Sequence, residues 1–228
     1  MSLLLKVCGM ALPEQVEAID AMGVDLLGFI FAKKSPRCVT PEHVAGIAPG
    51  RAKRVGVFVE QDADGVNRIM DVAKLDYAQL HAGQDEAFCR AVGPERVIRV
   101  FWPQRYAGAL AAQTGEAVSV PGSGDDLSGR QEALERDMAR YADLCAFMLL
   151  DSGTSGGGHG TSLDFAALAR LKAPRPWLLA GGLSPDNAAL AVDQAQPDGL
   201  DVNSGVESAP GVKNIETVER VIRNIKRY

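Results

Sequence analysis

Two side chains in this sequence could move protons on a small substrate. Cys8 follows directly on the apolar run LLLKV, and Asp151 directly on CAFMLL. A carboxyl at the mouth of an apolar strand can be held protonated by desolvation, which suits a general acid. A thiol in that position can act as base or nucleophile where its thiolate is favoured. Each also has a plainer reading: Cys8 as a small buried hydrophobe, Asp151 as a carboxylate capping the turn into Ser152-Gly153.

A second group of residues could hold an anion. LLAGGLSPDN reads as a strand, then Gly181-Gly182, then Ser-Pro opening a helix, and LDVNSGVES as a strand running into Asn203-Ser204-Gly205. Glycines let backbone N–H groups approach a phosphate closely, and helix N-termini present unpaired donors to it. Arg37, in FAKKSPRCVT, could clamp an anionic group of a substrate. Lys33 and Lys34 read as solvated loop residues beside it. His81 follows the run DYAQL, where a histidine is either a base or a hydrogen-bonding support.

The elements that must carry these residues alternate. Candidate strands are Leu3–Val7, Asp25–Phe31, Arg54–Val59, Asp76–Leu80, Arg96–Phe101, Ala146–Leu150, Pro176–Ala180 and Gly199–Val202. Runs such as LLGFIF are apolar on both faces, the pattern of parallel strands covered on both sides. Helical signals fall between them. Thr40-Pro41 and Ser184-Pro185 place a capping hydroxyl before a first-turn proline. Glu14–Met22 ends at Gly23, and Val218, Val221, Ile222 and Ile225 recur at helical spacing. Eight such units fit an α/β (β/α)8 TIM barrel better than an open doubly wound sheet, since no GxGxxG follows the first strand. In that barrel all the residues singled out above lie at the C-terminal ends of strands, where such folds keep their active sites, and the glycines fall after strands 7 and 8, the recurrent phosphate site. The longest spacing lies between strands 5 and 6. PGSGDDLSGR there reads as a long loop and QEALERDMARYADL as an extra helix, within a single domain spanning 1–228.

Composition narrows the partners. The chain has 228 residues, 46% apolar and 23% charged, with net charge −5 and no basic stripe, so nucleic acid is a poor fit. No segment approaches the roughly 20 apolar residues of a membrane helix, and the N-terminal apolar run is too short for a secretory signal. Cys8, Cys38, Cys89 and Cys145 lie far apart without a CxxC pair. Reduced thiols, a cytoplasmic protein and no metal site are therefore expected.

At these residues the chain resembles the phosphoribosylanthranilate isomerases of tryptophan biosynthesis. KVCGM matches the family's K-[IV]-C-G opening, and GFIFAKKSPRCV its G-F-x-F…S-x-R-x-[IV] segment. RVGVFV, AQLHAGQ, LLDSGTSGGGHGTSLDF, LLAGGLSPDNAALAV and LDVNSGVESAPGVKN follow in family order. Two departures stand out: Leu163-Asp164-Phe165 replaces the family's FDW, and His159 stands between Gly158 and Gly160. Both leave Asp151 in place.

The resemblance implies an Amadori rearrangement of N-(5-phosphoribosyl)anthranilate to 1-(2-carboxyphenylamino)-1-deoxyribulose 5-phosphate, with Asp151 as general acid and Cys8 as general base. It also implies substrate contacts from Arg37, facing the anthranilate carboxylate, from His81, and from Asp201, facing the sugar hydroxyls. Phosphate would bind at Gly181, Gly182, Asn203, Ser204 and Gly205. No cofactor is implied, because the iminium formed on ring opening is itself the electron sink. The partner expected is a small phosphosugar, bound by a monomer or homodimer. A pentulose-phosphate epimerase would need histidine metal ligands, yet of His43, His81 and His159 only His81 stands at a strand end. Indole-glycerol-phosphate synthase would need an inner-strand catalytic lysine and an extra N-terminal segment. A non-catalytic phosphosugar-binding barrel would need neither Cys8 nor Asp151.

Overall fold

A computed structural model describes residues 3–106, 127–151, 165–226 and 228. Eight parallel strands close into a barrel: β1 (Leu4–Val7), β2 (Leu26–Ile30), β3 (Lys53–Phe58), β4 (Tyr77–Leu80), β5 (Val97–Phe101), β6 (Phe147–Asp151), β7 (Trp177–Ala180) and β8 (Gly199–Val202), with β8 paired back to β1. Every expected strand is present, and the order is sequential.

Alternation along each strand explains the apolar runs. Leu5, Val7, Leu27, Phe29 and Phe58 point outward into a shell shared with the helices. Leu26, Val55, Ile98, Val100, Leu149 and Leu178 point inward and fill the barrel. The inward series changes character toward the C-terminal ends. There Cys8, His81, Asp151 and Asn203 continue the inward positions of β1, β4, β6 and β8, so the fold delivers polar side chains to one rim.

The surrounding helices are α1 (Pro13–Ala21), α2 (Pro41–Ala45), α3 (Ala63–Ala73), α4 (Glu86–Val92), α5 (Leu127–Arg140), α6 (Ala188–Ala195) and α7 (Ile215–Ile225). Thr40 caps α2 by accepting from the His43 N–H at 3.2 Å, and Gly23, at φ +84°, lets the chain leave α1 for β2. In α7, Val218, Val221 and Ile225 form the buried stripe.

Most boundaries shift by a residue or so from the sequence reading, and two helix starts shift by more. The helix expected to open at Ser184-Pro185 begins at Ala188. The Asn187 side chain accepts from the Ser184 N–H at 2.8 Å and donates to the Gly182 carbonyl at 3.0 Å, bracing a turn ahead of the helix. After β5, helix α5 includes Leu127–Arg140, so the last four residues of the expected loop form its first turn. The remainder of that loop, 121–126, lies outside the described residues with the rest of 107–126, as do Leu163, Asp164 and His159. Among the described residues no helix is long and apolar enough to cross a membrane.

Candidate active site

The base side of the site is a seam between β1 and β8. Parallel pairing sets Lys6 opposite Asp201 and Val7 opposite Val202. Lys6 and Cys8 both point inward, and Lys6 Nζ donates to both Asp201 carboxylate oxygens at 2.9 Å. Lys6 has no solvent exposure, and Cys8 and Asp201 are also buried. Burial pushes the Cys8 thiol above the usual cysteine range, with the Lys6 ammonium opposing it. For Lys6, burial works downward, but Asp201 and Cys8 outweigh it and hold the ammonium above the usual lysine range.

Gly28 on β2 faces this seam. A Cβ there would lie 2.8 Å from Cys8 Sγ and 3.1 Å from Lys6 Nζ, so only glycine leaves both their room. The wall around the sulfur is otherwise apolar, built of Ile30, Ala32 and Val57.

The acid side lies across the mouth, on β4 to β6. His81 Nε2 stands 3.4 Å from Asp151 Oδ2, and both groups are partly open to solvent. Gln79, two residues earlier on the same inward face, places its amide nitrogen 3.2 Å from His81 Nδ1. The other ring nitrogen, Nε2, faces Asp151. Trp102 meets the His81 ring edge-on, and the Arg105 guanidinium covers Trp102 at 3.8 Å. Asp201 lies within electrostatic range of both Asp151 and His81, which joins the two sides.

Arg37 reaches the same rim from the loop after β2. Its guanidinium donates to Glu207 in a bidentate arrangement, 2.9 Å from Nε to Oε1 and 2.6 Å from Nη2 to Oε2. Lys213 Nζ donates to Glu207 Oε1 at 2.8 Å and to Asn203 Oδ1 at 2.9 Å. Glu207 and Lys213 come from β9 (Glu207–Ala209) and β10 (Val212–Lys213), a short hairpin beyond β8. Burial works to raise the Glu207 carboxyl, but Arg37 and Lys213 outweigh it and hold it below the usual range. Gly9, at φ +74°, keeps the passage open, since a Cβ there would lie 2.6 Å from Asn203 Oδ1 and 2.7 Å from Arg37 Cδ.

The two glycine loops come together. A Cβ on Gly205 would lie 2.0 Å from the Leu183 carbonyl oxygen, so the loop after β8 packs backbone to backbone on the loop after β7. Gly205 is required for that contact. Gly182, at φ +64°, faces open space, and a side chain there would enter it. The Ser184 N–H is already taken by Asn187, which removes it from the donors available to an anion.

The structure therefore brings Cys8, Arg37, His81, Asp151, Gly181, Gly182, Asp201, Asn203, Ser204 and Gly205 to one end of one barrel. Sequence reasoning missed Lys6, Gly28, Gln79, Trp102, Glu207 and Lys213. Lys6 and Gln79 carried a signal: each is a polar residue at an inward position of an otherwise apolar strand. Glu207 and Lys213 carried none, because their hairpin was not anticipated.

The family profile described as N-(5'phosphoribosyl)anthranilate (PRA) isomerase matches residues 5–121 and 125–224. The N-(5'-phosphoribosyl)anthranilate isomerase of Desulfovibrio desulfuricans is 47% identical over 214 residues, covering 94% of this chain and 91% of that one. The crystal structure of phosphoribosyl anthranilate isomerase from Thermotoga maritima superposes with a TM-score of 0.79 at 27% identity, covering 99% of this chain and 100% of that chain. A further isomerase structure, in complex with reduced 1-(o-carboxyphenylamino)-1-deoxyribulose 5-phosphate, has a TM-score of 0.75 at 26% identity and covers 99% of this chain and 100% of that one. With the match running through every strand of the barrel, this chain belongs to the N-(5'-phosphoribosyl)anthranilate isomerase family.

Proposed function

We propose that this chain isomerises N-(5'-phosphoribosyl)anthranilate to the corresponding 1-deoxyribulose 5-phosphate, an intramolecular step of tryptophan biosynthesis, with Asp151 as acid and Cys8 as base. The observation that carries this reading is the placement of Cys8 and Asp151 on one rim, separated along the barrel wall by β7 and β8, whose loops form the glycine-rich turn pair. A phosphosugar anchored by its phosphate at Gly181, Gly182, Asn203, Ser204 and Gly205 would extend its ribose across the mouth, between thiol and carboxyl.

The chemistry runs in two proton transfers. Asp151 protonates the furanose oxygen, the C1′–O bond breaks, and the nitrogen lone pair forms an iminium. Cys8 thiolate then removes the C2′ proton, and the electrons of that bond move to the iminium to give an enolamine. Tautomerisation of the enolamine yields the ketone. His81 Nε2 orients Asp151 and lies close enough to touch the sugar. Asp201, fixed by Lys6, offers its carboxylate edge to the sugar hydroxyls. Arg37, held in plane by Glu207, meets the anthranilate carboxylate as the ring arrives from the β2 side.

The test is a fluorescence assay with N-(5'-phosphoribosyl)anthranilate as substrate, with the product identified by mass and by its ketone. Conversion by the wild-type chain, lost in both Cys8→Ser and Asp151→Asn, is expected. A wild-type chain that leaves the substrate unchanged would sink the proposal.

A further inference from the structure

Lys6 is a lysine without solvent exposure inside the barrel, and the proposed reaction as written uses it only to hold Asp201. A buried ion pair is a poor source of stability, since desolvating both charges offsets much of their attraction and an apolar pair would fill the same space. Lys6 and Asp201 therefore call for another reason to be there, and their surroundings supply one. The Cβ position of Gly28 lies 2.8 Å from Cys8 Sγ and 3.1 Å from Lys6 Nζ, so sulfur and nitrogen are separated by no more than the sum of those distances. The ammonium carries three N–H donors, and its two contacts with Asp201 hold it in place.

We propose that Lys6 is a positioning residue for Cys8: its buried ammonium, anchored by Asp201, supplies the positive charge against which the Cys8 thiolate forms. The inference rests on the reading of Cys8 as base. The physical need is plain. A thiol enclosed by Ile30, Ala32, Val57 and the β1 backbone loses its hydration on ionising, and an enclosed charge must be compensated from within the protein. The charged groups that act on Cys8 are Lys6 on its own strand, Asp201 on β8, Lys213 on β10 and Arg37 from the loop after β2. Arg37 and Lys213 are both engaged by Glu207, which cancels much of their field. Lys6 is also engaged, by Asp201, but its pull on Cys8 exceeds the opposing push of Asp201. The pair acts as a dipole with its positive end toward the sulfur.

The test is a titration of the Cys8 thiolate by ultraviolet absorbance, taken as the difference between each protein and its Cys8→Ser counterpart and made without substrate. Three proteins are compared: wild type, Asp201→Asn, and the double variant Lys6→Met with Asp201→Asn, which leaves no orphaned buried charge. Asp201→Asn removes the opposing charge and should lower the titration midpoint. The double variant should raise it by about one pH unit relative to Asp201→Asn, roughly a tenfold smaller thiolate fraction at any pH below the midpoint. The acid limb of the kcat/KM profile should move in the same two directions. Coincident midpoints in the two variants would overturn the proposal, and so would a midpoint that rises in Asp201→Asn alone. Failure of the base reading has a separate signature, since Cys8→Ser would then turn substrate over normally whatever the titrations show.

Discussion

Cys8 directly follows β1 and Asp151 ends β6, both on the inward face, yet their surroundings are opposite. Cys8 is buried, walled by apolar side chains and backed by a buried ammonium. Asp151 is partly exposed, beside a histidine whose other ring nitrogen is held by Gln79. The difference follows the demands of the two proton transfers. A base that must take a proton from carbon gains from exclusion of water, which would otherwise solvate the thiolate and weaken it. An acid that must be recharged after each turnover gains from contact with solvent and with a second titratable group. The barrel supplies both from one inward-facing pattern by changing what stands on the neighbouring strands.

The largest effect expected from breaking this contrast is at Cys8. Cys8→Ser keeps the size of the side chain but replaces a thiolate by a much weaker base, and kcat should fall by more than the roughly 10²–10⁴-fold typical of losing a general acid or base. Near-normal turnover would return Cys8 to a packing role. Asp151→Asn keeps the shape of the acid without its transferable proton. Its loss should lie within that same range of roughly 10²–10⁴ and appear in kcat, because the acid acts in the transition state. A change confined to KM would make Asp151 a binding residue.

Gly28→Ala probes the enclosure itself. Its methyl would lie 2.8 Å from Cys8 Sγ, so the thiol must move. A lower kcat is expected with inorganic phosphate binding retained, because the groups that the methyl would meet are Cys8 and Lys6 and not the glycine-rich turns after β7 and β8; steady-state kinetics and a phosphate titration check both arms. Ligand binding separates two other groups. Arg37→Ala should weaken anthranilate-bearing ligands and spare inorganic phosphate, while Gly182→Val, which fills the open space at that loop, should do the reverse. Equal losses of both ligands in both variants would show that one group has been misplaced.

The smallest effect is one of stability. The Glu207 carboxyl is held below its ordinary range by Arg37 and Lys213 despite burial. A depressed folded-state value means that the stability it contributes is present above the ordinary glutamate range and is lost as pH falls through the folded-state value. Glu207→Gln should therefore lower Tm at neutral pH and flatten its decline on acidification, measured by thermal unfolding across pH. An acid decline as steep as that of the wild type would remove Glu207 from the account.

How much of this was legible in the sequence depends on how local the cause is. The strands were legible because burial on both faces leaves a continuous apolar run, as in LLGFIF and CAFMLL. Cys8, His81 and Asp151 were legible because each directly follows such a run. The start of α6 was not, because Asn187 braces the turn through side-chain hydrogen bonds that Ser184-Pro185 alone does not announce. The Arg37, Glu207 and Lys213 cluster was not legible either, since it joins residues 170 positions apart through a hairpin with little apolar signature. Lys6 was visible as a residue, but its partner Asp201 became evident only when closure of the barrel placed β8 beside β1.

The division of labour across the rim can be measured directly with substrate carrying deuterium at C2′. If Cys8 removes that proton, impairing the base makes its removal rate-limiting, and Cys8→Ser should show a full primary isotope effect on kcat. Impairing the acid instead makes ring opening rate-limiting, and Asp151→Asn should show an isotope effect close to unity. Equal isotope effects in the two variants, or the reverse order, would contradict the assignment of base to Cys8 and acid to Asp151.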